Sequence, residues 1–458
     1  MKKKIKIAII GAGSVNFCPV TVTDILLSER LMALDVTIAL MDIDGEALKV
    51  GEQFSQKACA ELKRNAKIYA TTDLDNAVKE ADFVITAIEV ERYHYWSQDF
   101  HIPRKYGFRQ VYGENGGPGG MFHTLRNLDP VLHIAHRMEE LCPDAWLINY
   151  TNPEAKLVEA IHRLTKIKAV GVCHGFSMGL DMISKLLEMP KDQIEAVGYG
   201  LNHFGWYTEL KDKLTGEDLY PLLKKKEKEA HWLAKWDEVG LSRIMFRTYG
   251  LFPYPGTNHI GEYIAWSDEF LASTKIQYFF DPVHEKPWET KETPGFVYNF
   301  CDNPTGIEFS HKNPEKQEEY IKRFSSAEKG YQVSGEYGIP IIEAIFFDLH
   351  VTIPSLNMPN KGTMPGIMEG MCVEGPCMID AEGIHPLPVG ELPTAITAMI
   401  NHQGAIHKLV IEAYEKKSRN LLLQALLLDP TISNYNNAAA LIDEMFTVQK
   451  DILPKLNW

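Results

Sequence analysis

The sequence predicts an α/β fold: a Rossmann-type, doubly wound parallel sheet followed by a C-terminal α+β domain. Two observations predict this fold. In the first 200 residues, short runs rich in β-branched residues alternate with helical patterns, as strands joined by crossover helices require. Residues 380–458 instead show helical periodicity. We therefore expect two domains, formed by residues 1–200 and 201–458.

The strands and helices are predicted from the spacing of apolar residues. The expected strands are Ile5–Ile10, Asp35–Met41, Ile68–Ala70, Phe83–Ile88, Trp146–Tyr150, Ala169–Val172 and Ile194–Gly200. The expected helices are Asp44–Asn65, Asp129–Leu141, Glu154–Leu164, Leu392–Tyr414, Ser418–Leu428 and Ala438–Leu453. The segment Gly113–Gly120 is too rich in glycine for either and is expected to form a loop. Because ligands of such sheets bind beyond the carboxyl ends of the strands, the loops after the strands are the expected functional sites.

Composition excludes several classes of function. The formal net charge of −14 argues against nucleic-acid and anionic-membrane partners, because either would need a basic face. No apolar run reaches the roughly 20 residues of a membrane-spanning helix. The apolar stretch after Lys4 ends at Gly11 and is too short for a signal peptide. Seven cysteines without a Cys-x-x-Cys pair argue against a disulfide framework. We expect a cytoplasmic protein.

A glycine-containing turn follows the first predicted strand. Gly11 permits a tight turn, Gly13 lets the backbone approach a pyrophosphate, and Ser14 lies where a helix N-terminus offers N–H donors to that anion. Asn16 stands where the usual pattern has its third glycine. The turn predicts dinucleotide binding, and a strand–turn–helix without a ligand is the alternative.

A carboxylate follows the second predicted strand. Asp42 can accept hydrogen bonds from a ribose diol and would repel a 2′-phosphate, which favours NAD over NADP. The alternative is that Asp42 and Asp44 serve only as caps of the following helix.

A thiol and an imidazole follow two further predicted strands. Cys173 comes after Ala169–Val172, and His203 comes after Ile194–Gly200. These side chains can bind one divalent ion and leave coordination positions open for substrate oxygens. Two isolated residues thirty positions apart are also typical of purely structural roles, so the spacing alone leaves both interpretations open.

Further motifs occur in one order along nearly the whole chain. They are Gly11-Ala-Gly-Ser14, Met41-Asp-Ile-Asp44, Asn115-Gly-Gly-Pro-Gly-Gly120 with Arg126, Asn149-Tyr-Thr-Asn-Pro153, Cys173-His-Gly-Phe176, Asn202-His203, Ser334-Gly-Glu-Tyr337, Asn357-Met-Pro-Asn360 and Val373-Glu374. Together they resemble glycoside hydrolase family 4. The resemblance implies a fold related to lactate and malate dehydrogenases, NAD and Mn²⁺ or another divalent metal as cofactors, a small carbohydrate substrate, and a homodimer or homotetramer.

The resemblance also implies roles for individual residues. Cys173 and His203 fall on the metal ligands of the family. Asn152 falls beside substrate and nicotinamide, and Asn149 of the same motif is expected at the cofactor. His174 is positioned like the acid residue of some relatives, which protonates the leaving oxygen; contact with a substrate hydroxyl is its alternative role.

Three residues keep open assignments. The pair Glu114-Asn115 replaces the Asp-Thr pair of many relatives, and Glu114 is retained as a catalytic candidate. His259 lies in the stretch Tyr254–Tyr263, which is similar to the region of the catalytic tyrosine in phospho-glycosidases, and is the candidate base. Arg126 is expected either to hold a substrate group or to form a structural ion pair.

The reaction implied by the resemblance differs from hydrolysis by two carboxylates. A hydride passes from sugar C3 to NAD⁺, and the resulting ketone acidifies the proton at C2. A base removes that proton, the metal stabilises the developing charge, and the leaving group at C1 is eliminated. Water then adds and the hydride returns, so NAD is regenerated in each turnover.

The expected substrate is an unphosphorylated α-hexuronide, an α-glucuronide or α-galacturonide. His174-Gly175-Phe176 resembles the α-glucuronidase members and lacks the pattern of the phospho-glycosidases. A uronate carboxylate needs a cationic partner, for which Arg126, His123 and His259 are the candidates. Residues 373–393 resemble the α-galactosidase branch, so an α-galactosidase or α-glucosidase is the alternative. An NAD-dependent 2-hydroxy-acid dehydrogenase and a catalytically silent NAD-binding protein are alternatives from other classes.

Overall fold

The structure, a computed structural model, describes residues 3–14, 17–230, 240–267 and 330–458. Its strands are β1 (Lys4–Ile10), β2 (Asp35–Met41), β3 (Lys67–Thr71), β4 (Phe83–Thr86), β5 (Trp146–Asn149), β6 (Lys168–Gly171), β7 (Ile194–Leu201), β8 (Phe204–Asp212), β9 (Phe252–Tyr254), β10 (Val351–Pro359), β11 (Cys372–Asp380) and β12 (Gly383–Pro386). Its helices are α1 (Phe17–Leu27), α2 (Glu29–Met32), α3 (Gly45–Glu61), α4 (Leu74–Val78), α5 (Arg92–Lys105), α6 (Gly117–Leu141), α7 (Glu154–Leu164), α8 (Gly175–Leu187), α9 (Tyr220–Glu229), α10 (Gly240–Tyr249), α11 (Thr257–Gly261), α12 (Gly338–Phe347), α13 (Thr394–Glu415), α14 (Arg419–Leu428) and α15 (Tyr435–Val448).

These strands form a single mixed sheet. The strand order is β3-β2-β1-β4-β5-β6-β10-β11-β7-β8-β9, and β12 pairs with β11. The first six strands are parallel, and their order is that of a dinucleotide-binding fold. The pairs from β6 to β9 are antiparallel. This arrangement confirms the predicted α/β class with its doubly wound parallel sheet.

Two strands from the C-terminal part of the chain join the parallel and antiparallel halves. Asn357 of β10 pairs with Gly171 of β6, and Glu374 of β11 pairs with Gly200 of β7. Strands from residues 201–458 therefore form backbone hydrogen bonds with strands from residues 1–200. The division of function between residues 1–200 and 201–458 stays a prediction.

Helices cover both faces of the parallel half, which explains why its strands are apolar on both sides. Along β1, Ile5, Ile7 and Ile9 pack toward α1 and α12. Ala8 and Ile10 point to the opposite face, where they join a core formed with α6, α7 and the C-terminal helices. The alternation follows from the two-residue period of a strand, and it leaves only the strand ends open to form a site.

Most predicted elements are present, but the helix predicted over Asp129–Leu141 begins twelve residues earlier, at Gly117, and the prediction for the segment before it was wrong. The segment Gly113–Gly120 does not form a loop throughout, because α6 begins at Gly117 and continues to Leu141. Pro118 lies in the first turn of this helix, where its missing N–H has no helical partner to lose. Gly119 is required by packing, since a Cβ there would lie 2.6 Å from the Asp99 carbonyl oxygen.

Among the described residues, no helix is both long enough and apolar enough to cross a membrane. Localisation in the cytoplasm stays a prediction. Asn16 and Cys301 lie outside the described residues.

Candidate active site

The turn after β1 is built as a dinucleotide turn would require. Gly11 has a φ of +92°, and a Cβ at this position would lie 2.2 Å from the carbonyl oxygen of Ala87. Only glycine meets both conditions. The Oγ of Ser14 accepts a hydrogen bond from the N–H of Phe17, 3.2 Å away, at the start of α1. The turn therefore presents backbone, rather than side chains, at the carboxyl end of the sheet.

Asp42 connects this turn to the end of β2. One of its carboxylate oxygens accepts the N–H of Gly13 at 2.8 Å, and the other accepts the N–H of Asp44 at 2.9 Å. Asp44 caps α3 through the N–H groups of Glu46 and Ala47. The cap foreseen as the alternative thus exists at Asp44, while Asp42 holds the glycine turn. Contact of Asp42 with a ribose stays a prediction.

The structure brings Cys173 and His203 together. Cys173 follows β6 and His203 lies in the turn between β7 and β8, yet the Sγ and Nε2 atoms are 3.5 Å apart. The Sγ of Cys173 also accepts the N–H of Gly175 at 3.4 Å. His203 has a φ of +130°, which is unusual for a side chain other than glycine. The two residues are thirty positions apart in the sequence. They meet because β10 and β11 lie between β6 and β7 and join them in one sheet.

Two more polar side chains face the same place. Potential ligand atoms of Glu114, His203 and His259 all lie within 4.8 Å of one another. The rings of His203 and His259 meet edge to face, with centroids 4.4 Å apart. Glu114 is almost fully buried and also contacts Arg92. The site therefore gathers a carboxylate and two imidazoles, and the Cys173 thiol contacts one of these imidazoles, His203.

Burial controls the protonation of these groups. It raises the pKa of the Cys173 thiol, with a further contribution from the Glu374 carboxylate. Burial lowers the pKa of His203 well below its usual value, and lowers the pKa of His259 to about 4 although Glu114 acts in the opposite direction. Both imidazoles are therefore neutral near pH 7, which is the form that binds a metal or accepts a proton.

This donor set fits a divalent cation. A cation would stabilise the thiolate of Cys173, which burial otherwise disfavours, and would neutralise the Glu114 carboxylate. Nδ1 of His259 is buried without a hydrogen-bond partner among the described residues. His259 therefore keeps a ring nitrogen available to an ion or a substrate atom.

Glu262 supports the Glu114 segment and was not anticipated from the sequence. Its carboxylate accepts the N–H groups of Glu114, Asn115 and Gly116 at 2.7, 2.8 and 2.8 Å. Burial and the nearby Glu114 raise the pKa of Glu262 well above its usual value. The only signal in the sequence is an acidic residue within a largely apolar stretch, Ile260–Ile264.

Glu374 performs a similar function on the other side of the site. Its carboxylate accepts hydrogen bonds from Asn202 at 3.0 Å, Ser355 at 2.8 Å and Asn357 at 3.3 Å. Asn202 directly precedes His203, so this network fixes the turn that carries the imidazole. The motif containing Glu374 was recognised in the sequence, but its contact with Asn202 was not.

His174 lies beside an open cavity of about 330 Å³ at the carboxyl ends of β4, β5 and β6. Its side chain is 59% exposed, and Nδ1 is 3.5 Å from a carboxylate oxygen of Glu336. The cavity is also lined by Phe17 at the start of α1 and by Tyr150 after β5. His174 is thus accessible to a ligand, whereas His203 is buried.

The two predicted asparagines differ in their availability. Asn149 is fully buried; its side chain accepts the hydroxyl of Thr86 at 2.9 Å and donates to the Thr151 carbonyl at 3.0 Å. Asn152 is partly exposed, and its carbonyl accepts the side chain of Asn127 at 2.9 Å. Asn149 therefore shapes the loop, and contact of either residue with NAD stays a prediction.

Comparison with known families identifies this arrangement. Residues 6–189 match the model of "Family 4 glycosyl hydrolase", and residues 198–432 match the model of its C-terminal domain. The chain belongs to glycosyl hydrolase family 4. It is therefore a glycosidase by family, and the alternative of a 2-hydroxy-acid dehydrogenase is not supported.

Curated relatives of this family 4 member differ in substrate. The chain is 30% identical to an alpha-glucosidase of Erwinia rhapontici over 99% of both chains. It is 29% identical to an alpha-galacturonidase of Thermoanaerobacter italicus over 98% of this chain and 97% of that protein. It is 31% identical to an alpha-galactosidase of Bacillus subtilis over 98% of this chain and 99% of that protein.

Solved structures agree on the fold. A 6-phospho-alpha-glucosidase from gut microorganisms, in complex with NAD and Mn²⁺, superposes with a TM-score of 0.80 at 24% identity and covers 99% of this chain and 100% of its own. A malate dehydrogenase from Plasmodium falciparum gives a TM-score of 0.50 at 13% identity, with 89% and 97% coverage. The predicted relation to the dehydrogenase fold is confirmed.

Arg126 of this glycosyl hydrolase is paired within the protein. Its guanidinium binds Asp99 through two hydrogen bonds of 3.2 and 2.7 Å, and both side chains are fully buried. Gln449 contacts both partners, at 3.1 Å from Arg126 and 2.9 Å from Asp99. This geometry favours the structural ion pair over the substrate contact.

His123 is also engaged. Its Nδ1 lies 2.8 Å from the carbonyl oxygen of Glu114, and its Nε2 lies 2.9 Å from the Glu89 carboxylate. Burial tends to raise the pKa of Glu89, but the neighbouring His123, Arg92 and Arg126 lower it to about 2. His123 therefore links the backbone of Glu114 to the carboxylate of Glu89, which stays ionised near pH 7.

Replacing Arg126 tests its structural role. Arg126→Leu leaves Asp99 buried without its ion pair, so we expect the free energy of unfolding to fall by about 3–5 kcal/mol in urea titrations. Arg137→Leu on the same helix is the matched control and should lower the stability far less, because Arg137 pairs with the half-exposed Asp75 and the exposed Glu140. Equal stability of the two variants, with KM raised only in Arg126→Leu, would instead assign Arg126 to the substrate.

Proposed function

We propose that this protein hydrolyses α-glycosidic bonds with the help of NAD and a divalent metal, Mn²⁺ or a similar ion. The observation that carries the proposal is the group of Glu114, His203 and His259, with Cys173 in contact with His203, in a chain whose first strand ends in a glycine turn of dinucleotide-binding type. A plain dehydrogenase has no use for a buried thiol in such a cluster. Family membership supplies the reaction class, since every curated relative described above is an α-glycosidase.

The residues divide into two binding groups. Cys173 and His203 would hold the metal, with Glu114 near His203 as a further donor, while the Gly11–Ser14 turn and Asp42 would hold NAD. When bound, NAD supplies the acceptor for a hydride from sugar C3, and the cation supplies positive charge beside the C2 and C3 oxygens. Assembly as a homodimer or homotetramer stays a prediction.

Two histidines carry the proton transfers. His259 accepts the proton from C2, because it is neutral near pH 7 and its Nδ1 lacks a partner among the described residues. His174 donates a proton to the leaving oxygen from its exposed position at the cavity, where its Nδ1 lies 3.5 Å from the Glu336 carboxylate. Asn152, partly exposed in the adjacent loop, orients the sugar.

Metal-ligand variants test this assignment. Cys173→Ser and His203→Ala should each lower kcat/KM by more than the roughly 10–100-fold that loss of a group merely hydrogen-bonded to a ligand costs. Mn²⁺ content after dialysis, measured by mass spectrometry, should fall in parallel. Cys59→Ser, in a half-buried position on α3, is the control and should retain both activity and metal. Wild-type activity of either ligand variant in chelator-treated buffer would refute the metal site.

The substrate we propose is an unphosphorylated α-hexuronide. Gly175 supports this choice, because a Cβ there would lie 3.4 Å from the Cys173 Sγ and 3.2 Å from Pro255. A larger residue would crowd the metal ligand and the substrate beside it. The alpha-galacturonidase of Thermoanaerobacter italicus is among the relatives that match the full length of the chain.

A neutral α-hexoside, galactoside or glucoside, is the second candidate, and one observation favours it. A buried uronate carboxylate needs a cationic partner. Of the three candidates from the sequence, Arg126 is paired with Asp99, His123 is engaged by Glu89, and burial keeps His259 neutral near pH 7. Neutral hydroxyls would need no such cation.

A panel of p-nitrophenyl glycosides separates the two candidates. With NAD, Mn²⁺ and a thiol reductant, kcat/KM should be highest for the α-glucuronide or α-galacturonide. A preference of tenfold or more for the α-galactoside or α-glucoside, about 1.4 kcal/mol of transition-state discrimination, would overturn the hexuronide proposal. Such a result would leave the proposed metal site and reaction class intact.

A further inference from the structure

Asn115 contacts the imidazole that we assign to the metal. Its side-chain nitrogen lies 3.0 Å from Nδ1 of His203, while the opposite ring atom, Nε2, lies 3.5 Å from the Sγ of Cys173. The ring is therefore held at both nitrogens. Cys173 lies at Nε2, where the proposed metal would bind, and Asn115 lies at Nδ1.

The tautomer of His203 decides whether it can bind a cation. A neutral imidazole carries one proton, and only the nitrogen without it has a lone pair for a metal. For Nε2 to bind the ion beside Cys173, the proton must be on Nδ1. That N–H then needs an acceptor, because an unpaired buried donor is costly.

An asparagine meets this requirement by rotating its amide. The oxygen and nitrogen of the amide occupy equivalent places, so a half-turn brings Oδ1 to the position near Nδ1. The rotation replaces the 3.3 Å contact between the amide nitrogen and the Glu114 carboxylate by a contact between two oxygens. A cation bound beside Glu114 would offset that repulsion, and the rotated amide gives the N–H of His203 its acceptor.

We propose that Asn115 is a positioning residue for the metal: its side-chain oxygen accepts Nδ1–H of His203 and keeps the lone pair of Nε2 directed at the ion. This inference rests on the proposed metal site and adds a residue to its function. It involves no chemistry at Asn115 itself.

The protein holds Asn115 firmly enough for this role. The residue is 2% exposed; its N–H donates to Glu262 at 2.8 Å, and its carbonyl oxygen is contacted by the buried Lys156. These two hydrogen bonds fix its peptide group from both sides. The backbone of His203, with its φ of +130°, also adopts a conformation that only surrounding contacts can stabilise.

Titration of Mn²⁺ into the full-length protein tests the inference. Asn115→Leu keeps the volume but removes the acceptor, and we expect the Kd for Mn²⁺, measured by calorimetry, to rise about 10–100-fold. Asn115→Asp restores an acceptor and should bind Mn²⁺ at least as tightly as the wild type. In Co²⁺-loaded protein, the visible d–d bands should shift in Asn115→Leu and return in Asn115→Asp.

Two controls separate folding from positioning. Asn437→Leu, which removes a side-chain hydrogen bond to the Tyr106 carbonyl far along the chain, should leave Mn²⁺ affinity unchanged. NAD affinity, followed by fluorescence, should be the same in the Asn115 variants as in the wild type. If Asn115→Leu does not fold, Asn115→Asp decides alone, and a tenfold weaker Kd for Mn²⁺ in that variant contradicts the inference.

Other outcomes overturn the inference in distinguishable ways. Unchanged Mn²⁺ affinity in Asn115→Leu, with loss of binding in His203→Ala, would refute the positioning role and leave the proposed metal site standing. Equal losses in Asn115→Leu and Asn115→Asp would assign Asn115 to packing alone. Unchanged affinity in His203→Ala would refute the metal site and, with it, this inference.

Discussion

The contact between Cys173 and His203 depends on two strands that come from the far end of the chain. β10 and β11 lie between β6 and β7, and the pairs Asn357–Gly171 and Glu374–Gly200 set the distance between the two halves of the sheet. At the first of these pairs a Cβ on Gly171 would overlap the Glu154 carboxyl at 1.1 Å, so a side chain there would force the strands or the carboxyl apart. This junction places the thiol after β6 and the imidazole after β7 at the edge of one continuous sheet.

Burial of acidic side chains is the second constraint on the site. Glu262 and Glu374 are each taken out of water, and each recovers hydrogen bonds from three donors. Isolated buried carboxylates would be strongly unfavourable, but these donors lie in the two segments that must be positioned, 114–116 and the 202–203 turn. The same burial keeps His203 and His259 neutral. Burial therefore has two effects that the proposed chemistry needs. The hydrogen bonds of the buried carboxyls fix the two segments, and the neutral imidazoles keep their lone pairs.

The fold could be predicted from the sequence because its determinants are local. The period of apolar residues located β1, β2 and α7 closely, and the glycine at position 11 marked the turn that its positive φ requires. The error at Gly113–Gly120 also has a local cause. High glycine content was interpreted as a loop, whereas the glycines there avoid clashes around the start of α6.

The site was predictable only where a family motif marked it. Cys173 and His203 were found in this way, but the roles of Glu262, Asn115 and Arg126 depend on partners elsewhere in the chain. Glu262 contacts residues some 150 positions earlier. Arg126 has the same sequence signature whether it binds a substrate or Asp99, and only the structure shows that Asp99 is its partner. The spacing of charged residues along the sequence does not show which of them pair in the folded protein.

Removal of the proton at sugar C2 by a base of this chain is the central claim of the account. The most direct measurement is hydrolysis of the preferred substrate in D₂O, followed by NMR of the released sugar. A base such as His259 exchanges its proton with solvent, so the account predicts deuterium at C2 of the product. The same sugar released by acid in D₂O provides the reference with protium at C2. Retention of protium at C2 after enzymatic turnover would contradict the account.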